Sequence, residues 1–205
     1  MNLTLHKPFI FTVGSLTAIG KTTFIVALLS KILKPTEKVY IMTDDTERSI
    51  INKIKLLNVP IKGKVVSIYH REKLEKLINL AILEKYDYVV LDCCQTWLDE
   101  FTLFEVLAKL RAHNISVLMT FQMPREFNGT PDLYSVRPMR VVHLSDYVAT
   151  IERRTNIGKI EKFIYKIFPF IPYKNMRFNL IKNRYGSNKS FNFQLNFNTL
   201  KITNF

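Results

Sequence analysis

Residues 9–29, "FIFTVGSLTAIGKTTFIVALL", constrain this chain more than any other stretch. An apolar run rich in β-branched and aromatic residues reads as a buried strand. Small residues follow from Gly14, and an apolar helical pattern starts at Lys21. The loop amides and helix N-terminus of such a unit aim partial positive charge at one point, which suits an anion such as phosphate. Gly20 permits close backbone approach, Lys21 supplies a cation, and Thr22 offers a hydroxyl to a metal ion. The usual phosphate-loop spacing puts glycine five residues before the Gly-Lys pair, and Ser15 stands there. Ile19 then falls at a variable position. The candidate cradle is Ser15, Leu16, Thr17, Ala18, Ile19, Gly20, Lys21, Thr22 and Thr23. The alternative is an ordinary strand-to-helix turn with a solvated lysine.

The rest of the chain alternates short apolar runs with amphipathic stretches, the pattern of an α/β fold with a mainly parallel sheet flanked by helices. Strands are expected at Pro8–Val13, Lys38–Met42, Val65–Ile68, Tyr88–Asp92 and Ile115–Phe121, each buried on both faces. Helices are expected near Lys21–Leu33, Glu47–Leu56, Arg71–Glu84 and Leu103–His113. "MPREFNGTPDLYSVRPMR", within residues 123–142, has neither period and reads as a long loop, a class that is usually functional or disordered. His143–Ile151 reads as a strand, and Arg177–Phe197 as a C-terminal β-hairpin turning at "NRYGSNK".

Asp92 ends an apolar strand at its C-terminal end, where ligands of parallel sheets bind, and there it suits a hydrated Mg²⁺. Alone it could equally cap a helix. Asp44 and Asp45 follow the second strand. Asp44 is the candidate group for activating water, with capping of the next helix as its alternative, a task Thr46 can also perform. Gln122, ending the fifth strand, is either a γ-phosphate sensor or a polar strand terminus.

Thirty Lys and Arg against seventeen Asp and Glu give a net charge of +13, which points to an anionic partner, nucleic acid ahead of a membrane surface. The basic, aromatic segment 154–174 reads as a surface for DNA, a partner or a membrane, or as a helix or flap packed on the sheet. The adjacent Cys93 and Cys94 cannot supply the spaced ligands of a zinc site and read as core thiols. With neither a spanning apolar run nor a signal peptide, a soluble cytoplasmic protein is expected.

Three segments together resemble the replicative hexameric DNA helicases of DnaB type. "GSLTAIGKTTF" is similar to their phosphate loop, "LMTFQMPRE" to their strand ending in Ser-Gln-Leu before an arginine, and "IKNRYGSNKSFNFQLNF" to their C-terminal hairpin. The last is closer still to the "KNRFG" signature of the bacterial RadA/Sms ATPases. The resemblance implies one RecA-like P-loop ATPase core over residues 1–205, without the family's N-terminal collar, binding ATP and Mg²⁺. It implies that Lys182 and Arg184 reach a neighbouring subunit's ATP site in a homo-oligomer such as a hexamer. It also implies DNA, single-stranded ahead of duplex, and a place in replication or recombination. The family's glutamate after the second strand is here Asp44, one methylene shorter, so slow hydrolysis is an expectation. The loop 123–142, with Arg125, Tyr134, Arg137 and Arg140, is then the expected DNA-binding element, its arginines pairing with phosphates and Tyr134 stacking on a base. The alternative is that these arginines bridge subunits or face water. The competing functional class is an ATP-dependent switch or accessory subunit that does not itself move on DNA.

Overall fold

The computed structural model describes residues 5–16, 19–68, 74–96, 98–123, 132–133, 136, 139–153, 173–196, 199 and 202–203. In chain order the elements are β1 (Ile10–Ser15), α1 (Lys21–Ile32), β2 (Lys38–Thr43), α2 (Glu47–Leu56), β3 (Lys62–Ser67), α3 (Leu74–Leu83), β4 (Tyr88–Asp92), α4 (Glu100–Ala112), β5 (Ser116–Gln122), α5 (Met139–Leu144), β6 (Tyr147–Arg153), β7 (Tyr173–Asn183), β8 (Lys189–Asn196) and β9 (Ile202–Thr203). They build a nine-stranded sheet in the order β3-β2-β4-β5-β1-β6-β7-β8-β9. From β3 to β6 every pairing is parallel, and from β6 to β9 every pairing is antiparallel. This is the RecA-like α/β architecture, with β7–β8 as the C-terminal hairpin.

Side chains alternate across the parallel strands, so each strand feeds two cores. Phe9, Phe11 and Val13 pack with Phe24, Ile25, Leu28 and Leu29 of α1 and with Ile50 of α2. Ile10, Met42, Leu91, Met119 and Phe121 pack on the other face with Ile78 of α3 and with Leu103, Leu107 and Leu110 of α4. Each such side chain is worth about 1.5–3 kcal/mol when fully buried. The stack of Phe24 on Phe178, ring centroids 5.4 Å apart, ties α1 to β7.

Several expected boundaries move. The edge strand β3 begins at Lys62 rather than Val65, and its first half is exposed, so burial on both faces does not extend to it. Helix α4 begins at Glu100 because Asp99 caps it, accepting from Thr102 N–H at 2.9 Å. His143 belongs to α5 instead of a strand, and β6 begins only after Asp146. The hairpin starts at Tyr173, inside the basic and aromatic segment 154–174. Residues 154–172 lie outside the described residues. Among the described residues no helix is long and apolar enough to cross a membrane.

Candidate nucleotide site

The site grows from the C-terminal ends of β1, β2, β4 and β5, which parallel pairing brings to one rim of the sheet. Ser15 is paired with Gln122, and Thr43 with Asp92. Gly20 caps α1 with φ 98°, in the left-handed region that costs a residue with a Cβ, and offers no side chain to the helix's first amides. Those amides stay available to an anion. Lys21 is buried at 7 % exposure, and its ammonium donates to the Leu16 carbonyl at 3.3 Å. Burial pushes its pKa down, against the pull of Cys93, Asp92 and Asp44. A desolvated cation beside open helix amides fits a phosphate chain better than a solvated surface lysine.

Asp92 is 2 % exposed and is held from two strands and a helix at once. The hydroxyl of Thr22 lies 2.9 Å from Oδ2 and 3.1 Å from Oδ1, that of Thr43 donates to Oδ2 at 3.1 Å, and that of Thr120 to Oδ1 at 2.7 Å. Thr120 also accepts the Cys93 N–H at 2.7 Å, which fixes the turn where Cys93 sits at φ 51°. Ligand atoms of Asp44, Asp92 and Cys93 lie within 4.8 Å of one another. The oxygen donors Thr22, Asp92 and Asp44 suit Mg²⁺, a hard cation that keeps much of its water. The Cys93 thiol, pushed up to about 11 by burial and then by the two carboxylates, is the protonated neighbour of that set.

The structure separates the two aspartates after β2. Thr46 is the N-cap of α2, accepting from Ser49 N–H at 3.2 Å. Asp45 serves the same turn, accepting from Thr46 N–H, the Ser49 hydroxyl and Lys53. Asp44 instead turns toward Asp92 and accepts from the Thr96 hydroxyl at 3.3 Å. Its pKa is raised by burial and then by the charge on Asp92.

Gln122 stands beside Ser15 at this rim, and the next residue, Met123, donates its N–H to Ser15 O at 2.8 Å. Thr17 and Ala18 lie outside the described residues, as do Arg125, Tyr134 and Arg137. Arg140 is exposed in the first turn of α5, its N–H donating to Glu100 Oε1 at 3.0 Å.

Lys182 and Arg184 are brought to the opposite rim. Tyr147 pairs with Phe11 at the start of β1 and with Asn183 at the end of β7. From Phe11 to Ser15 the strand rises about 13 Å, so the two side chains cannot serve the cradle of their own chain. The ammonium of Lys182 donates at 2.9 Å to the carbonyls of both Val142 and His143. Burial, and then Arg184, lower its pKa. Arg184 Nη1 meets Asp146 Oδ1 at 2.8 Å.

Sequence reasoning misses Thr43, Thr120 and Asp146. A signal for Asp146 exists. "DYVV" at 87–90 and "DYVA" at 146–149 both open a parallel strand, and both aspartates accept the N–H of the residue that begins the neighbouring strand, Lys38 for Asp87 and Ile10 for Asp146.

By sequence, no family model and no curated protein matches this chain. By structure, 327 solved chains match, so the likeness specifies an architecture rather than one relative. Among them is the ATPase domain of a DnaB-like helicase, with a TM-score of 0.70 over 98 % of this chain and 86 % of that one, at 10 % identity. The chain therefore shares the fold of an ATPase domain across nearly its whole length.

Proposed function

We propose that this chain is a Mg²⁺-dependent ATPase that works on DNA, single-stranded ahead of duplex, as a homo-oligomer whose ATP sites lie between neighbours. The observation that carries the reading is the convergence at one rim of a buried Lys21, open amides of α1, and a Thr22–Asp92 contact of 2.9 Å. The resemblance to DnaB-type and RadA/Sms ATPases and the fold shared with a solved ATPase domain support the same class. Lys21 and the amides of residues 20–23 would hold the phosphates, while Thr22 and Asp92 would hold Mg²⁺, which screens phosphate charge. Asp44 orients and deprotonates the attacking water, and Gln122 lies where a γ-phosphate would be sensed. Lys182 and Arg184 serve a neighbour's site, a role their position on the far rim supports. Arg125, Tyr134, Arg137 and Arg140 form the DNA element, and the +13 charge supports an anionic polymer as partner.

Steady-state ATP turnover with and without single-stranded DNA tests this reading. Turnover that rises with DNA is expected. ATP binding with no turnover in either condition would sink the motor and leave an ATP-dependent switch within a replication or recombination complex. The short Asp44 carboxylate, held by Thr96 and repelled by Asp92, is the feature that favours that second reading.

A further inference from the structure

Asp146 is 1 % exposed and sits on the rim away from the nucleotide cradle. One oxygen, Oδ2, accepts Ile10 N–H at 2.9 Å and pairs with Arg111 Nη2 from α4. The other, Oδ1, pairs with Arg184 Nη1, and the Arg184 N–H donates to the Asp146 carbonyl at 2.9 Å. Arg184 is thus fixed at backbone and side chain by one buried residue, yet its side chain is 44 % exposed. A guanidinium carries five N–H donors in a rigid fork. With Nη1 on the carboxylate, the group is presented to the surface in one orientation. Asp87 supplies the contrast. It makes the same backbone contact at the start of β4, but it is exposed, and among the described residues no guanidinium pairs with it. Securing the strand therefore requires neither burial nor arginines.

We propose that Asp146 is a positioning residue that holds the Arg184 guanidinium at the angle in which it enters a neighbouring subunit's ATP site, with Arg111 bracing the carboxylate from behind. The inference rests on the trans role proposed for Arg184. Pre-fixing a long side chain removes ordering that would otherwise be required as the neighbour's site closes. The carboxylate touches no substrate and acts through Arg184 alone.

The test is a double-mutant cycle in ATP turnover on the full chain, using Asp146→Asn, Arg184→Ala and both together. Asparagine keeps an acceptor for Ile10 N–H and removes the charge. Asp146→Asn is expected to lower kcat at least about tenfold with KM for ATP within about twofold, and to cause no further loss in the Arg184→Ala background. An equal loss in both backgrounds would make Asp146 a structural staple and overturn the inference while leaving the trans role intact. So would undiminished turnover in Asp146→Asn beside a defective Arg184→Ala. An Arg184→Ala protein as active as wild type, or a wild type without turnover, overturns the trans role and the inference with it. Should Asp146→Asn not fold, Arg111→Met keeps the carboxylate with its Arg184 partner. Its kcat is expected to stay within about twofold of wild type, and a tenfold loss in a folded Arg111→Met protein would overturn the inference.

Discussion

Asp44 and Asp45 are adjacent and chemically identical, and the fold sends them to opposite tasks. Asp45 is absorbed into the first turn of α2 and, although burial opposes it, its hydrogen bonds to Ser49, Thr46 and Lys53 hold its pKa low. Asp44 faces another carboxylate, and its pKa is raised above the ordinary 3.8. The folded protein therefore binds a proton at Asp44 more readily than the unfolded chain does. Stability falls as pH climbs from 3.8 through that raised value, and at neutral pH the whole cost is present. Asp44→Asn should melt higher than wild type in metal-free buffer at neutral pH. The gain should be at most about 2 °C, because a partly exposed charge is screened, and the two melting curves should converge below pH 3.8. A gain that persists in strong acid would assign the effect to something other than Asp44 ionisation. Lys21, Thr22, Asp92 and Asp44 are legible in the sequence, since each follows from its place at a strand end or helix start. The choice between capping and catalysis for Asp44 is not, because it depends on which way the chain turns after β2. Nor are Thr43 and Thr120, whose importance comes from strands β2 and β5 flanking β4.

At the scale of elements, β1 and the stretch ahead of α5 are fitted to each other at Gly14. A Cβ there would lie 2.8 Å from Val136 Cγ2, a fully buried side chain that packs with Val142 and Val148. Gly14→Ala should cost about 1–3 kcal/mol by overpacking, and Val136→Ala in the same protein should restore part of that loss. Denaturant melts of both single variants and the double variant read the coupling. Strict additivity would show that the two side chains do not press on each other. The alternation of apolar runs and amphipathic stretches makes the parallel strands and α1 to α4 legible in the sequence, and Glu47–Leu56 agrees to the residue. What stays illegible is local. The six-residue α5 is too short to show a helical period, and Asp99 does not read as a cap because the apolar repeat begins only at Leu103. The exposure of β3 is illegible for another reason: strand order decides which strand becomes an edge, and order is not written in any one strand.

The whole molecule places its phosphate-binding chemistry on one rim of the sheet and the Lys182–Arg184 pair on the other, with four residues of β1 between the levels of Phe11 and Ser15. Arg184→Ala should still bind ATP but turn it over roughly 10³-fold more slowly, the scale of arginines that act in trans. Lys21→Ala should bind ATP at least about tenfold more weakly, since it loses a charge-assisted contact. Mixing the two inactive proteins provides a sharper test. A junction that pairs an intact cradle from Arg184→Ala with an intact Arg184 from Lys21→Ala is complete, so the mixture should regain turnover that neither protein has alone. A mixture as inactive as its components would place Arg184 outside any shared site. The same two-rim geometry makes the active unit a joint between copies. An isolated copy then has no working site, an open row of copies has one fewer than its members, and only a closed ring uses every cradle. Turnover per chain would therefore report how completely the rings have closed, rising steeply with protein concentration before it levels off.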